Sequence, residues 1–221
     1  MFVHLIYNLK KIYRMNKKLI YFTTINTTFN CFGYLLLIIK LYNSILLTYL
    51  FSLCKNILFT YTLDRVMKDK NRINNKSIQH NTNTVNIMTN ISLVSLTDTA
   101  SIFICSYYVA SLPQSIILFI PSMFAYELVF DFFHYWTHRM CHHKYLYWIH
   151  KQHHQDTYDL NVYSTFNQHP LDLLLTNVLP MYLTSNIIPL TDLNFMTFML
   201  YKSYIEISGH TGLDVNSSSF P

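Results

Sequence analysis

The chain has 221 residues, of which 51% are hydrophobic, 16% aromatic and only 12% charged. Soluble domains carry about 25% charged residues, so half of the usual solvated surface is missing, which argues against an ordinary soluble domain and for an integral membrane protein. The formal charge of +5 is unevenly spread: Lys10, Lys11, Arg14, Lys17 and Lys18 precede the first apolar run, and no acid appears before Asp64.

That basic start reads as a cytoplasmic flank under the positive-inside rule, with a solvated basic end as the plain alternative. The segment after it is apolar, so a nucleic-acid partner is not expected. Nor is a cleavable secretory signal, because the basic region is long and no small-residue cleavage site follows closely. Residues 28–63 are mostly apolar, broken by Lys40, Asn43, Ser44 and Lys55. About 20 apolar residues cross a bilayer, so this stretch is either one long tilted span or a tight pair of short ones. Residues 64–90 turn polar and Asn/Thr-rich, and read as a poorly ordered connector. From Ile91 to Phe133 the chain is again apolar and aromatic, with Pro113 and Pro121 expected to split it into membrane-embedded pieces. Two further apolar stretches, 171–190 and 194–207, are interrupted by Pro180, Pro189 and Asp192. There is no internal repeat. Cys31, Cys54, Cys105 and Cys141 show no C-x-x-C pairing and read as reduced cysteines rather than a disulfide framework. The expected architecture is all-α: an integral membrane helical bundle with a basic N-terminus and anchor (1–63), a linker (64–90) and a third part (91–221) that carries a histidine-rich metal site at one membrane face.

Seven of the eleven histidines fall within the 21 residues from His134 to His154, and they fall at helical intervals. His134, His138 and His142 are spaced i, i+4, i+8, which puts them on one slowly drifting helix face. His150, His153 and His154 are spaced i, i+3, i+4, again one face, so two facing helices can surround one metal or a pair. His143 lies about 100° from His142 and points elsewhere. Any single one of these is an ordinary interfacial or core histidine; two same-face triplets in succession are not expected by chance. Neutral imidazole is the commonest metal ligand and suits iron, zinc and copper. A structural zinc site usually combines cysteine with histidine and closes at four ligands. Here Cys141 is the only cysteine nearby and the histidines exceed four, which points to a two-metal cluster. His169 and His210 each offer one further imidazole, alone more typical of a turn or cap. Glu127 and Asp131 share the face of His134 and His138, where carboxylates orient ligand imidazoles or snorkel at an interface.

In order, the pattern H-x-x-x-H (His138, His142), H-x-x-H-H (His150, His153, His154), His169-Pro170 and Gly209-His210-Thr211-Gly212 resembles the fatty acid hydroxylase/sterol desaturase superfamily, which includes the methylsterol oxidases. The resemblance covers roughly Glu127 to Pro221. It implies two non-haem irons held by His138, His142, His150, His153 and His154, with His210 and His169 as further ligands. His134, Asp131 and Glu127 would then stand behind the ligands. It also implies an endoplasmic reticulum membrane with the metal site facing the cytosol. The chemistry implied is hydroxylation or desaturation of an unactivated C–H bond of a sterol or fatty-acyl lipid, using dioxygen and electrons from an NAD(P)H-driven donor such as cytochrome b5 and its reductase. The run between the first two boxes is a residue or so shorter than in the methylsterol oxidases. Members of the superfamily also carry a third box, H-D-x-H-H or similar, some tens of residues after the Gly-His-Thr-Gly step, and none precedes Pro221, so a truncated copy is expected. The rival reading from another class is a catalytically inactive membrane remnant that binds zinc or one iron. A metal-ion transporter fits less well, because transport sites sit near the bilayer midplane, whereas these histidines lie among Arg139, Lys144 and Lys151. Which lipid is used, the choice between hydroxylation and desaturation, the number of spans and the oligomeric state are not written in the motifs.

Overall fold

The computed structural model describes residues 31–33, 35, 44–67, 84–106, 116–155 and 160–210, and among these all regular structure is helical. Two helices of 23 residues, α1 (Ile45–Met67) and α2 (Thr84–Ser106), are followed by α3 (Ile116–Cys141), 26 residues long. A single turn, α4 (Tyr147–His150), and a 3-10 turn (Ser164–Phe166) lead into α5 (Pro170–Leu173), a π-helical stretch (Leu174–Val178) and α6 (Leu179–Ile187). The last described helix is α7 (Asp192–Gly209).

α1 and α2 form because each is an apolar run with no Gly or Pro inside it. Their hydroxyls do not interrupt them: Thr60 bonds back to the carbonyl of Asn56, Ser95 to that of Ile91 and Thr99 to that of Ser95. A hydroxyl satisfied within its own helix costs little among apolar neighbours. Both helices are long and apolar enough to cross a membrane, and only 33% and 28% of the relevant windows are buried inside the protein. A soluble core helix would be mostly covered; here Leu46, Leu50, Leu58, Leu96 and Ile104 face outward.

Polar side chains join α1 to its neighbours. The Tyr49 hydroxyl lies 2.6 Å from Ser92 Oγ, and Asn56 Nδ2 donates to Ser95 Oγ at 3.0 Å. Lys55 Nζ donates to Asp98 Oδ2 at 2.8 Å and to Ser203 Oγ of α7 at 2.6 Å. The segment expected as a separate anchor is therefore pinned to α2 and α7. The main core lies between α3, α6 and α7, where Tyr126, Phe130, Met181, Phe195 and Phe198 pack with Ile102 and Cys105 of α2. Tyr126 is fully buried, and its hydroxyl meets the Met181 carbonyl at 3.2 Å and Ser185 Oγ at 2.8 Å, so its polar tip is satisfied.

Three expectations need correction. The polar connector begins and ends inside helices, since α1 runs to Met67 and α2 starts at Thr84; residues 68–83 lie outside the described residues. Pro121 does not split the chain but lies in the second turn of α3. Its missing N–H costs the ladder the bond to the Ile117 carbonyl, and α3 continues through it. Pro113 lies outside the described residues. Third, the second histidine triplet is not on a full helix: α4 is one turn, and residues 151–155 continue as hydrogen-bonded turns.

Candidate metal centre

α3 ends in the first histidine pair. Its last turn is extended by the His142 N–H, which donates to the His138 carbonyl at 3.2 Å, so the i, i+4 relation survives past the helix end. The second pair comes from α4 and the turn after it, where His153 N–H donates to the His150 carbonyl at 3.0 Å. Gln152 Nε2 ties this turn to Asn167 Oδ1 at 3.1 Å. The two segments thereby face each other.

Four imidazoles meet there. One ring nitrogen from each of His138, His142, His150 and His154 lies within 4.8 Å of the others. Nε2 of His138 is 3.0 Å from Nε2 of both His142 and His150, and Nε2 of His154 is 3.0 Å from that of His150. Metal–nitrogen bonds of about 2.1 Å set at right angles place neighbouring donors roughly 3 Å apart, so these separations suit the ligands of one ion. The partner of His150 on its other side fixes its tautomer. Its Nδ1 lies 2.9 Å from both carboxylate oxygens of Asp172, and both side chains are almost fully buried. With Nδ1–H given to the carboxylate, Nε2 presents a lone pair to the other imidazoles. Burial, with neighbouring imidazoles adding to it, pushes the His138 imidazole down to about 4, and burial likewise lowers His154. Neutral rings are the form that binds a metal.

His153 and His210 stand together beside this group, with ring centroids 5.2 Å apart. His210 Nδ1 is 2.7 Å from the Glu206 carbonyl, so its proton sits there and Nε2 is the free acceptor. Burial, reinforced by His210, pushes His153 down to about 3, and its Nδ1 is buried without a hydrogen-bond partner. A buried polar atom of that kind calls for a missing partner.

The remaining residues singled out in the sequence take other places. His134 directs Nδ1 to the Thr176 carbonyl at 2.7 Å. That carbonyl is one that Pro180, four residues on and lacking an N–H, cannot serve in the usual helical pattern. His169 lies outside the group of four: its Nδ1 accepts the Leu171 N–H at 3.2 Å, capping α5, and its ring rests on Trp148. Asp131 lines a cleft of about 500 Å³ with His134, Tyr135, His138, Arg139 and His142. Glu127 is half-buried one turn further back on α3. His143 is exposed and turns to Tyr145. Cys141 is buried outside the cluster, and burial raises its thiol to about 11, away from the thiolate that a metal takes. Asp172 escaped the sequence reading, although it sits two residues beyond the His169-Pro170 step that drew notice.

Residues 123–221 match the family described as fatty acid hydroxylase. That match supports the fatty acid hydroxylase/sterol desaturase superfamily for this part of the chain. No curated protein and no solved structure matches it. The fatty acid hydroxylase domain contains every residue of the site, from Glu127 to His210, whereas α1 and α2 precede it. The family suggests oxidoreductase chemistry on a lipid, and with the two apolar helices it suggests a membrane location.

Proposed function

We propose that the fatty acid hydroxylase domain is a membrane-bound, non-haem diiron oxidoreductase that hydroxylates or desaturates a C–H bond of a sterol or fatty-acyl lipid. The observation that carries the reading is the convergence of four imidazole nitrogens at 3.0 Å contacts, with no carboxylate or thiolate among them. An all-nitrogen, uncharged donor set suits iron, and the family is the second support.

His138, His142, His150 and His154 would hold one ion, and His153 with His210 would contribute to the second. Bound iron would supply dioxygen activation, fed by electrons from an NAD(P)H-driven donor such as cytochrome b5 and its reductase. The protein's own part is positional. Asp172 holds the His150 ring and its proton, the Thr176 carbonyl holds that of His134, and Glu206 O holds that of His210. The cleft beside His138 and His142 gives a lipid a route to the ring nitrogens. In this reading the membrane is that of the endoplasmic reticulum, with the site on the cytosolic side.

Metal content with a product assay tests it. A copy that carries the third box, purified from membranes, should hold close to two irons, and with reductant, electron donor and dioxygen it should convert a sterol or fatty-acyl lipid to a hydroxylated or desaturated product. One zinc or no metal per chain, with no lipid product, would overturn the proposal in favour of a non-catalytic metal-binding membrane protein.

A further inference from the structure

The surface around the histidines carries its own signal. From Phe132 to Gln155 there is no acidic residue, while Arg139, Lys144 and Lys151 are cationic and both tryptophans of the protein, Trp136 and Trp148, fall in the segment. Six aromatic rings here are exposed: Phe132, Tyr135, Trp136, Tyr145, Tyr147 and Trp148, from 42% for Tyr147 to 71% for Tyr145. Two of the cations are held at the level of these rings. The Arg139 guanidinium stands 5.9 Å and 5.8 Å from the Tyr135 and Trp136 ring centres, and its Nη1 donates to the Tyr135 hydroxyl at 2.6 Å. Lys144 Nζ lies 4.9 Å over Tyr145.

Each simpler surrounding is disfavoured. In water, contiguous apolar rings of this extent are unusual on a soluble surface. In hydrocarbon, the charges of Arg139, Lys144 and Lys151 would be costly. The layer between takes both: tryptophan and tyrosine place an apolar ring and a polar tip at the boundary, and lysine and arginine meet phosphate. We infer that this surface, the end of α3 with residues 142–148, lies in the headgroup layer of a phospholipid bilayer, with Arg139 and Lys144 on lipid phosphates. The cleft that Tyr135 and Arg139 share with His138 and His142 then opens at that level, so a lipid enters it sideways from the bilayer. The inference rests on the membrane reading above and adds a depth to it.

Intrinsic fluorescence reads this surface alone, because the only tryptophans are Trp136 and Trp148. The full chain would be reconstituted in phosphatidylcholine vesicles carrying bromine either near the headgroup end of the acyl chain or near the bilayer centre, with acrylamide as the aqueous quencher. The expected result is a larger loss of emission with the shallow bromine than with the deep one. Trp136→Phe and Trp148→Phe should each leave the same profile from the remaining ring. Arg139→Gln combined with Lys144→Gln should lower shallow quenching and raise acrylamide quenching. Chain that floats with the vesicles but is quenched by acrylamide alone would put the surface in water or under a protein partner and overturn the inference. Strongest quenching by the deep bromine would overturn it in the other direction. Chain that does not float with vesicles at all would instead show that the membrane reading itself has failed.

Discussion

Lys55 and His150 are both buried side chains hydrogen-bonded to a carboxylate, and they come to opposite ends. Lys55 meets Asp98 and Ser203, Asp98 Oδ2 also accepts a hydrogen bond from Asn56 Nδ2 at 3.2 Å, and the charges cancel within a closed set of partners. His150 gives one nitrogen to Asp172 and turns the other toward His138 and His154. There the carboxylate begins the chain of partners instead of ending it, and four ring nitrogens converge within 4.8 Å of one another. A buried polar group needs a partner wherever it lies. The first network therefore joins helices, and the second brings together imidazoles that could hold a metal ion.

The comparison is broken most sharply by removing an imidazole. In a copy that carries the third box, His150→Ala, His153→Ala and His154→Ala should each abolish iron binding and product formation, read by metal analysis and lipid assay; turnover retained in all three would sink the ligand assignment. Next in size is Lys55→Met, which leaves the partly buried Asp98 without its cation and should destabilise the fold by about 1–3 kcal/mol in detergent-solubilised unfolding. Metal content per folded chain should not change. Lys55→Met with Asp98→Leu should recover most of the loss, whereas no apolar replacement should rescue the histidine site.

Asp172→Asn keeps the shape but loses the charge behind His150, and metal affinity should fall about 10–100-fold, measured by chelator competition. Acid should separate the two regions as well. His138 is held near 4 in the folded metal-free chain, against 6.5 unperturbed, so the unfolded chain takes up its proton first as pH falls. Stability is thus fully present above pH 6.5 and is lost progressively toward pH 4, after which this contribution levels off. A metal-free thermal midpoint that did not fall across that window, or a His138→Gln variant that fell as steeply, would contradict the assignment. The smallest effect belongs to His169→Ala, which removes a helix cap worth about 1 kcal/mol and should leave metal binding unchanged.

Much of this was legible in the chain itself. The pairing of His138 with His142, and of His150 with His154, follows from i, i+4 spacing, because helical turns bring such residues to one side whatever the rest of the protein does. The second pair keeps that relation on a single helical turn followed by looser turns, a detail that spacing does not report. The His169-Pro170 step was conspicuous, yet Pro170 serves as the first residue of α5 and His169 as its cap, a local role that the motif does not separate from ligation.

The amino-acid sequence alone determined that the chain is helical and apolar, and which family it resembles, because composition, periodicity and motif order are local and additive properties. Only the tertiary structure decided that Asp172, 22 residues from His150, turns a carboxylate toward its ring, and that Thr176 does the same for His134 with a carbonyl. It also decided that Lys55 finds Ser203, 148 residues away. These contacts join segments whose separation carries no period, and they exist only because packing of α1, α3, α5 and α7 brings these groups within reach of one another.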